Sequence, residues 1–417
     1  MYNSTTIRKR WHVALVLALL PGALLAQPSS AMKPVAEAGA RFGRFSAPGR
    51  FAYVLTRIET SRAPVLVGKE KWASLVAKHT DAINRTTTHA AFAAAVNDLF
   101  KDGGVSHFHY FMEDEWAYWH LLGAFKRDGR DVTVEHVGLY TQRIDEKWFV
   151  RALVEGTPAA DSKIRTGDEV VSVAGEPFVP IVSWRGKAGK PVKVTLRRRP
   201  GETYSVMLEP VRDSLYSQVE KAMIESTHII EHDGLRMAYT HGWMMLGDSP
   251  VYKLLLQLQP HVDGLLLDYR DGVGGSPYPA MRFLVGPAGQ WALDGGQGSW
   301  KKPVVTLIAD GTRSAKELVV YAAKKAGITT LVGTPTPGAV TAVGGIVDIG
   351  EDAMLLLPGF KFELEGKPTL PDHHIERDLP YCAGADPQLD LAKELLAKRI
   401  RKANAAREPE AATVGAD

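Results

Sequence analysis

Hydrophobic and polar positions change period several times along this chain, and each change marks a new kind of element. From Pro34 to Asp102 the apolar residues recur at helical spacing: Trp72, Leu75 and Val76 share one face, and Phe92, Val96, Leu99 and Phe100 another. This predicts a helical region over 32–102. Gly103-Gly104 interrupts it, and Val105 to Phe111 alternates as a strand would, with His107 and His109 on one face and Ser106, Phe108 and Tyr110 on the other. That strand segment, 103–131, ends in Trp116, Tyr118 and Trp119, an aromatic group of the kind that packs.

Short strand-like runs separated by turn residues then fill 132–212, from Val137-Gly138-Leu139-Tyr140 through Trp148-Phe149-Val150 and Val170-Val171 to the alternating Val192–Leu196. From 213 to 400 strand-like and helical runs alternate, as in an α/β core. Within it, Val304, Val305, Leu307 and Ile308 predict a buried strand. Asp310-Gly311 stops that run, and a helical pattern begins at Ser314 with Leu318, Val319 and Ala322 on one face. A second apolar run ends in Asp268-Tyr269-Arg270 and the pair Gly274-Gly275. The tail over 401–417 reads as a fraying helix followed by disorder.

Composition changes this picture in three places. At 417 residues the chain is long for one domain, and 45% hydrophobic with 23% charged residues is an ordinary globular balance. Residues 1–31 read as a secretory signal: basic Arg8-Lys9-Arg10, an apolar run from Trp11 to Ala26, then small residues, with cleavage after Ala26 or Ala31. The expected address is therefore periplasmic or secreted, with membrane attachment only if the segment stays uncleaved. Its removal takes the formal charge from +3 to about zero, so no nucleic-acid partner is indicated. The single cysteine, Cys382, leaves no intramolecular disulfide possible.

Candidate chemistry centres on Ser314. A serine opening a helix is commonly a cap, but its hydroxyl also lies beside the free N–H groups of the first helical turn, which can stabilise an oxyanion. Paired glycines after a strand point backbone amides outward in the same way. Asp268-Tyr-Arg270-Asp-Gly-Val-Gly274-Gly275, Thr312-Arg-Ser314-Ala315-Lys-Glu317 and Gly333-Thr-Pro-Thr336-Pro-Gly338 together resemble the C-terminal-processing (tail-specific) serine proteases and the tricorn protease core. Gly272 stands where that family has asparagine. The run Gly156-Thr-Pro158-Ala159-Ala160, followed by Gly167-Asp168-Glu-Val170, is similar to a PDZ domain.

The resemblance implies a crotonase-like spiral of ββα units, with an inserted PDZ-like domain at 132–212 and an N-terminal helical cap. It also implies a serine endopeptidase acting on a peptide or protein without a cofactor. Tail-specific members use a lysine base where this chain has Ala339. Tricorn-like members use a Ser-His pair, which Ser106-His107 resembles, with His109 as the substitute. Orientation would come from Ser106 and from Glu365, in Glu365-Gly-Lys-Pro-Thr-Leu-Pro371-Asp372. The implied oxyanion donors are Gly274 and Ala315, with Gly275 as the alternative to Gly274. Gly138 and Leu139 would receive a peptide C-terminus, unless the module only shapes or gates the cleft. Glu317 reads as a structural hydrogen-bond partner, and Lys316, Lys324 and Lys325 as solvated helix positions. Two rivals remain: a non-catalytic peptide-binding or scaffold protein, and an acyl-CoA enzyme, which the export signal and PDZ-like insert disfavour. A zinc site from His107, His109, His373 and His374 is disfavoured by the lack of any HExxH or cysteine pair.

Overall fold

The computed structural model describes residues 45–125, 132–245, 249–286, 298–350 and 352–414. The signal segment expected at 1–31 lies outside them. Helices α1 (Ala47–Glu59), α2 (Ala63–Val67), α3 (Lys69–Asn84) and α4 (His89–Gly103) form the N-terminal unit. Their apolar stripes close over a core of Phe51, Val54, Ile58, Phe92, Val96 and Leu99. Thr88 caps α4 by accepting the Ala91 N–H, and Gly104, at φ 68°, ends it. The expected strand from Val105 is shorter than the alternation suggested. Strand β1 is His109–Met112, because His107 takes φ 56° and breaks the extended backbone. Helix α5 (Trp116–Phe125) follows, with Trp116 and Tyr118 buried.

Eight strands make the next unit: β2 (Val134–His136), β3 (Leu139–Ile144), β4 (Lys147–Leu153), β5 (Glu169–Val173), β6 (Glu176–Pro177), β7 (Val192–Arg199), β8 (Glu202–Leu208) and β9 (Val211–Asp213). The sheet runs in the order β3-β4-β5-β7-β8 with β6 on β5, while β2 and β9 pair as a stem. Val137, Leu139, Val150, Val194 and Leu196 form its own core.

The remaining chain is a mixed α/β core. It comprises α6 (Leu215–Glu225), β10 (His228–His232), β11 (Leu235–His241), α7 (Pro250–Leu258), β12 (Gly264–Asp268), α8 (Tyr278–Leu284), β13 (Val304–Ile308), α9 (Ala315–Lys325), β14 (Thr329–Gly333), β15 (Ala342–Asp348), β16 (Ala353–Phe360), β17 (His373–His374) and α10 (Pro387–Val414). One sheet has the order β10-β11-β12-β13-β14-β17, parallel from β11 onward. Every residue of β12 and β13 is buried, as expected of parallel strands covered on both faces. One face packs on α6, α7, α8 and α9, the other on Ala392, Leu396 and Ile400 of α10. Strands β15 and β16 join β1 in a second sheet, which fastens the N-terminal unit to the core.

Helix α10 runs past Ile400 to Val414, through the stretch read from sequence as a fraying helix followed by disorder. Alanines at 403, 405 and 406 favour helix, and Arg401 reaches Asp233 across the core surface. Cys382 is free, and its Sγ donates to Thr166 O at 3.2 Å.

The Asp268-x-Arg270 pattern forms a buried brace. Arg270 donates to both carboxylate oxygens of Asp268 and to both of Asp386, at 2.6–2.9 Å. Burial opposes the charge on both carboxyls, but the guanidinium outweighs it and holds them below the usual carboxylate range. Exchange of Arg270 for methionine would strand the buried Asp268 carboxylate and the partly buried Asp386, so a loss of about 3–5 kcal/mol is expected in a urea titration. The brace should also weaken in acid, because carboxyls depressed in the folded state stabilise it only while ionised, an effect lost as pH falls through their folded values.

Candidate active site

The C-terminal ends of three adjacent parallel strands build the site, where the loops leaving β12, β13 and β14 open side by side. After β13 the chain turns through 309–313 into α9. Thr312, fully buried, ties this turn to the end of β12: its hydroxyl donates to Tyr269 O and accepts the Ala309 N–H, both at 2.9 Å. Ser314 sits at the N-cap position of α9 with φ 60° and ψ −125°, and its side chain makes no capping bond. The hydroxyl therefore does not serve as a cap, and the strained backbone beneath it costs ~1–3 kcal/mol.

What imposes that conformation is the loop after β14. Ser314 N–H donates to Ala339 O at 2.9 Å. The buried Glu317 carboxylate accepts Gly338 N–H at 2.7 Å and Ala339 N–H at 2.6 Å, with Thr336 Oγ1 also donating to it. Glu317 is thus the structural partner expected. Ala339 is itself buried and meets Ser314 through its backbone.

The glycine loop after β12 closes the other side. A Cβ placed on Gly274 would lie 2.5 Å from Ser314 Cβ, 2.8 Å from its Oγ and 3.1 Å from Ala315 N. Only glycine permits this approach. Among the described residues, the N–H groups of Gly274, Gly275 and Ala315 donate to no other group. The loop is fixed on its outer edge by Val273 N–H to Trp243 O at 2.8 Å and Met245 N–H to Gly274 O at 2.9 Å. Gly272, at φ 86°, has Trp243 O only 1.9 Å from where a Cβ would stand, so the asparagine of the resembling family has no room here.

Ser106, His107 and Glu365 come together although Ser106 and Glu365 are 259 positions apart. Glu365 accepts Ser106 N–H at 2.8 Å on one oxygen, and Ser106 Oγ–H at 2.9 Å with Val340 N–H at 2.8 Å on the other. Ser106 Oγ, its single proton given to Glu365, accepts Thr341 N–H at 3.1 Å and faces His107 Nδ1 at 3.1 Å. Nδ1 must therefore be the protonated nitrogen, which leaves the Nε2 lone pair free. Burial and the nearby Arg313 cation push His107 down to about 4, against the opposing charge of Glu365. Burial acts against the Glu365 charge, but the hydrogen bonds it accepts, that from Ser106 N–H first, hold it below its ordinary value.

One short strip connects the two halves: Ala339 O holds Ser314, Val340 N–H holds Glu365 and Thr341 N–H holds Ser106. Two peptide units separate the outer contacts, so Ser314 N and Ser106 Oγ lie within roughly 11 Å. No hydrogen bond joins Ser314 Oγ to His107 among the described residues. Such contacts are often long in a free enzyme and tighten with substrate. His109 points elsewhere, with Asn97 Nδ2 at 3.3 Å and Glu115 at 3.8 Å.

Two expectations change. Lys316 is fully buried rather than solvated, because α9 packs on both faces. Gly138 and Leu139 are buried too, Gly138 lying against Thr157 at φ 80° with its carbonyl accepting the Val154 N–H at 2.9 Å. Among the described residues no group of three or more His, Cys, Asp or Glu could hold a metal ion. The sequence reading also missed Arg151 on β4, which pairs with Asp271 in the glycine loop and with Asp310 before the serine. Arg377 adds a contact to Asp271 at 3.9 Å and donates to Arg151 O at 2.9 Å. The Asp271 carboxylate gave no signal, since one acidic residue in a glycine-rich turn looks like ordinary turn chemistry.

Residues 236–381 match the model of peptidase family S41. That span contains Gly274, Ser314, Ala315 and Glu365, while Ser106 and His107 precede it. Tricorn protease homolog 1 of Streptomyces coelicolor is 26% identical over 258 residues, which is 55% of this chain and 24% of that protein. Tricorn protease homolog 2 of the same organism is 22% identical over 78% of this chain and 30% of its own length. The chain thus spans about a quarter to a third of the curated relatives it matches. Among solved structures, the photosystem II D1 C-terminal processing protease is 17% identical, with a TM-score of 0.45 over 78% of this chain and 98% of that one. The family match thus likens residues 236–381, the stretch that carries the glycine loop and Ser314, to the peptidases of family S41.

Proposed function

We propose that this chain is an exported serine endopeptidase that hydrolyses peptide bonds through an acyl-enzyme on a crotonase-like core. Ser314 is the nucleophile, and His107 takes its proton at Nε2 and returns it to the leaving amine. Ser106 and Glu365 hold the imidazole, and the N–H groups of Gly274 and Ala315 receive the oxyanion. The observation that carries this reading is the Ser106 hydroxyl, bonded to Glu365 and facing His107 Nδ1, which leaves Nε2 as the basic nitrogen. The strip 339–341 then ties this assembly to Ser314.

The unit over 132–212 acts as a PDZ-like module. Among the described residues strand β3 pairs on one side, the kind of edge to which a peptide C-terminus adds as a strand. The burial of Gly138 and Leu139 favours the gating role, in which the module acts on the cleft through Arg151 and Asp271.

The decisive experiment is fluorophosphonate labelling of the folded mature protein, with the adduct mapped by peptide mass. Modification at Ser314 is expected. A folded protein that takes up no probe would instead be a scaffold that keeps the fold without the chemistry.

A further inference from the structure

Lys316 lies two residues beyond Ser314, in the first turn of α9, and none of its surface is exposed. The position is costly for a cation. A buried ammonium loses its hydration, and the N-terminal end of a helix carries partial positive charge. Buried lysines are normally paired with carboxylates. Here, among the described residues, the hydrogen-bond partner of Nζ is a backbone carbonyl, Asp271 O, with the Tyr269 ring centre at 5.8 Å. An apolar side chain of similar length would fill the space without that cost. What lysine alone supplies is the bond to Asp271 O.

That carbonyl belongs to the loop carrying Gly274. Among the described residues, the Lys316 bond joins α9 itself to that loop, whereas the loop's other ties run to Trp243, Met245, Arg151 and Arg377. We propose that Lys316 is a positioning residue for the oxyanion site: by fixing Asp271 O to the nucleophile's own helix, it sets the separation between Gly274 N–H and Ser314 Oγ. This rests on the reading of Ser314 as nucleophile and adds to it a residue outside the Ser–His–Glu assembly.

The groups facing Nζ are few. The Asp271 and Asp268 carboxylates favour its charge, and Arg151 and Arg377 offset Asp271 from the far side. The His120 imidazole on α5 is buried and pushed down to about 4, so it is neutral near pH 7. Burial, only partly offset by Asp271 and Asp268, brings Lys316 down to about 7. The ammonium is present below that value and becomes a weaker amine donor above it, so turnover should fall as pH rises through about 7.

Steady-state hydrolysis of p-nitrophenyl acetate by wild type, K316M and K316R tests this. In K316M, kcat should drop by about 100-fold, the cost of one misplaced oxyanion donor, with KM nearly unchanged. K316R, whose guanidinium stays charged, should retain more activity than K316M and lose the alkaline fall. A K316M enzyme with wild-type kcat overturns the proposal. So does a K316R enzyme that keeps the alkaline fall, which would mark the lysine as merely structural. If K316M fails to fold, the wild-type and K316R pH profiles decide alone. A wild type that fluorophosphonate does not label at Ser314 removes the nucleophile first, a separate failure that takes this inference with it.

Discussion

His107→Ala is expected to lower turnover by on the order of 10⁴-fold or more, about as much as Ser314→Ala, because nucleophile and base act as one unit. The corresponding change at His109 should leave turnover nearly intact, since that ring contacts Asn97 and Glu115. The wild-type pH profile carries a second signature. An imidazole must be neutral to accept a proton, and His107 is pushed down to about 4 by burial and Arg313. The rising limb of kcat/KM should therefore centre near pH 4, well below the ~6.5 of an ordinary histidine. Arg313→Met should move that limb upward by removing the cation. Comparable losses from the two histidine variants, or a limb that Arg313→Met leaves in place, would take the base assignment away from His107.

Gly274→Ala is the second large effect, with an expected loss in turnover of about 10²–10³-fold and little change in KM. The added methyl cannot stand 2.5 Å from Ser314 Cβ, so one side must move. Ser314 is held by Ala339 O and by its own strained backbone, which leaves the glycine loop to give way and carry its N–H out of place. Thermal melting beside the kinetics separates a displaced donor from an unfolded protein. Full activity in a folded Gly274→Ala enzyme would exclude this loop from oxyanion binding.

Local patterns made part of this legible. The β13–turn–α9 unit and the glycine loop follow from apolar runs broken by Asp-Gly and Gly-Gly, and the alternating strands of 132–212 were readable for the same reason. Contacts that cross between units were not. Helical spacing assigns Lys316 to a face but cannot say that α9 is covered on both, so a buried lysine read as solvated. The period-two argument placed His107 and His109 together on one strand face. In the fold, φ 56° at His107 turns that residue into the Ser106–Glu365 pocket, while His109 begins β1. Arg151 gave no signal because its partners, Asp271 and Asp310, lie in another unit.

The bond between Ser106 and Glu365 has a bearing on how the protein is made. A ribosome releases the N-terminal helices and the module long before residue 365 emerges, and until then nothing orders the imidazole. On the proposed mechanism, a chain released only that far has no oriented base. The contact forms only when the last third of the polypeptide docks on the first, so on the reading of His107 as base the site completes itself late, with folding of the whole chain.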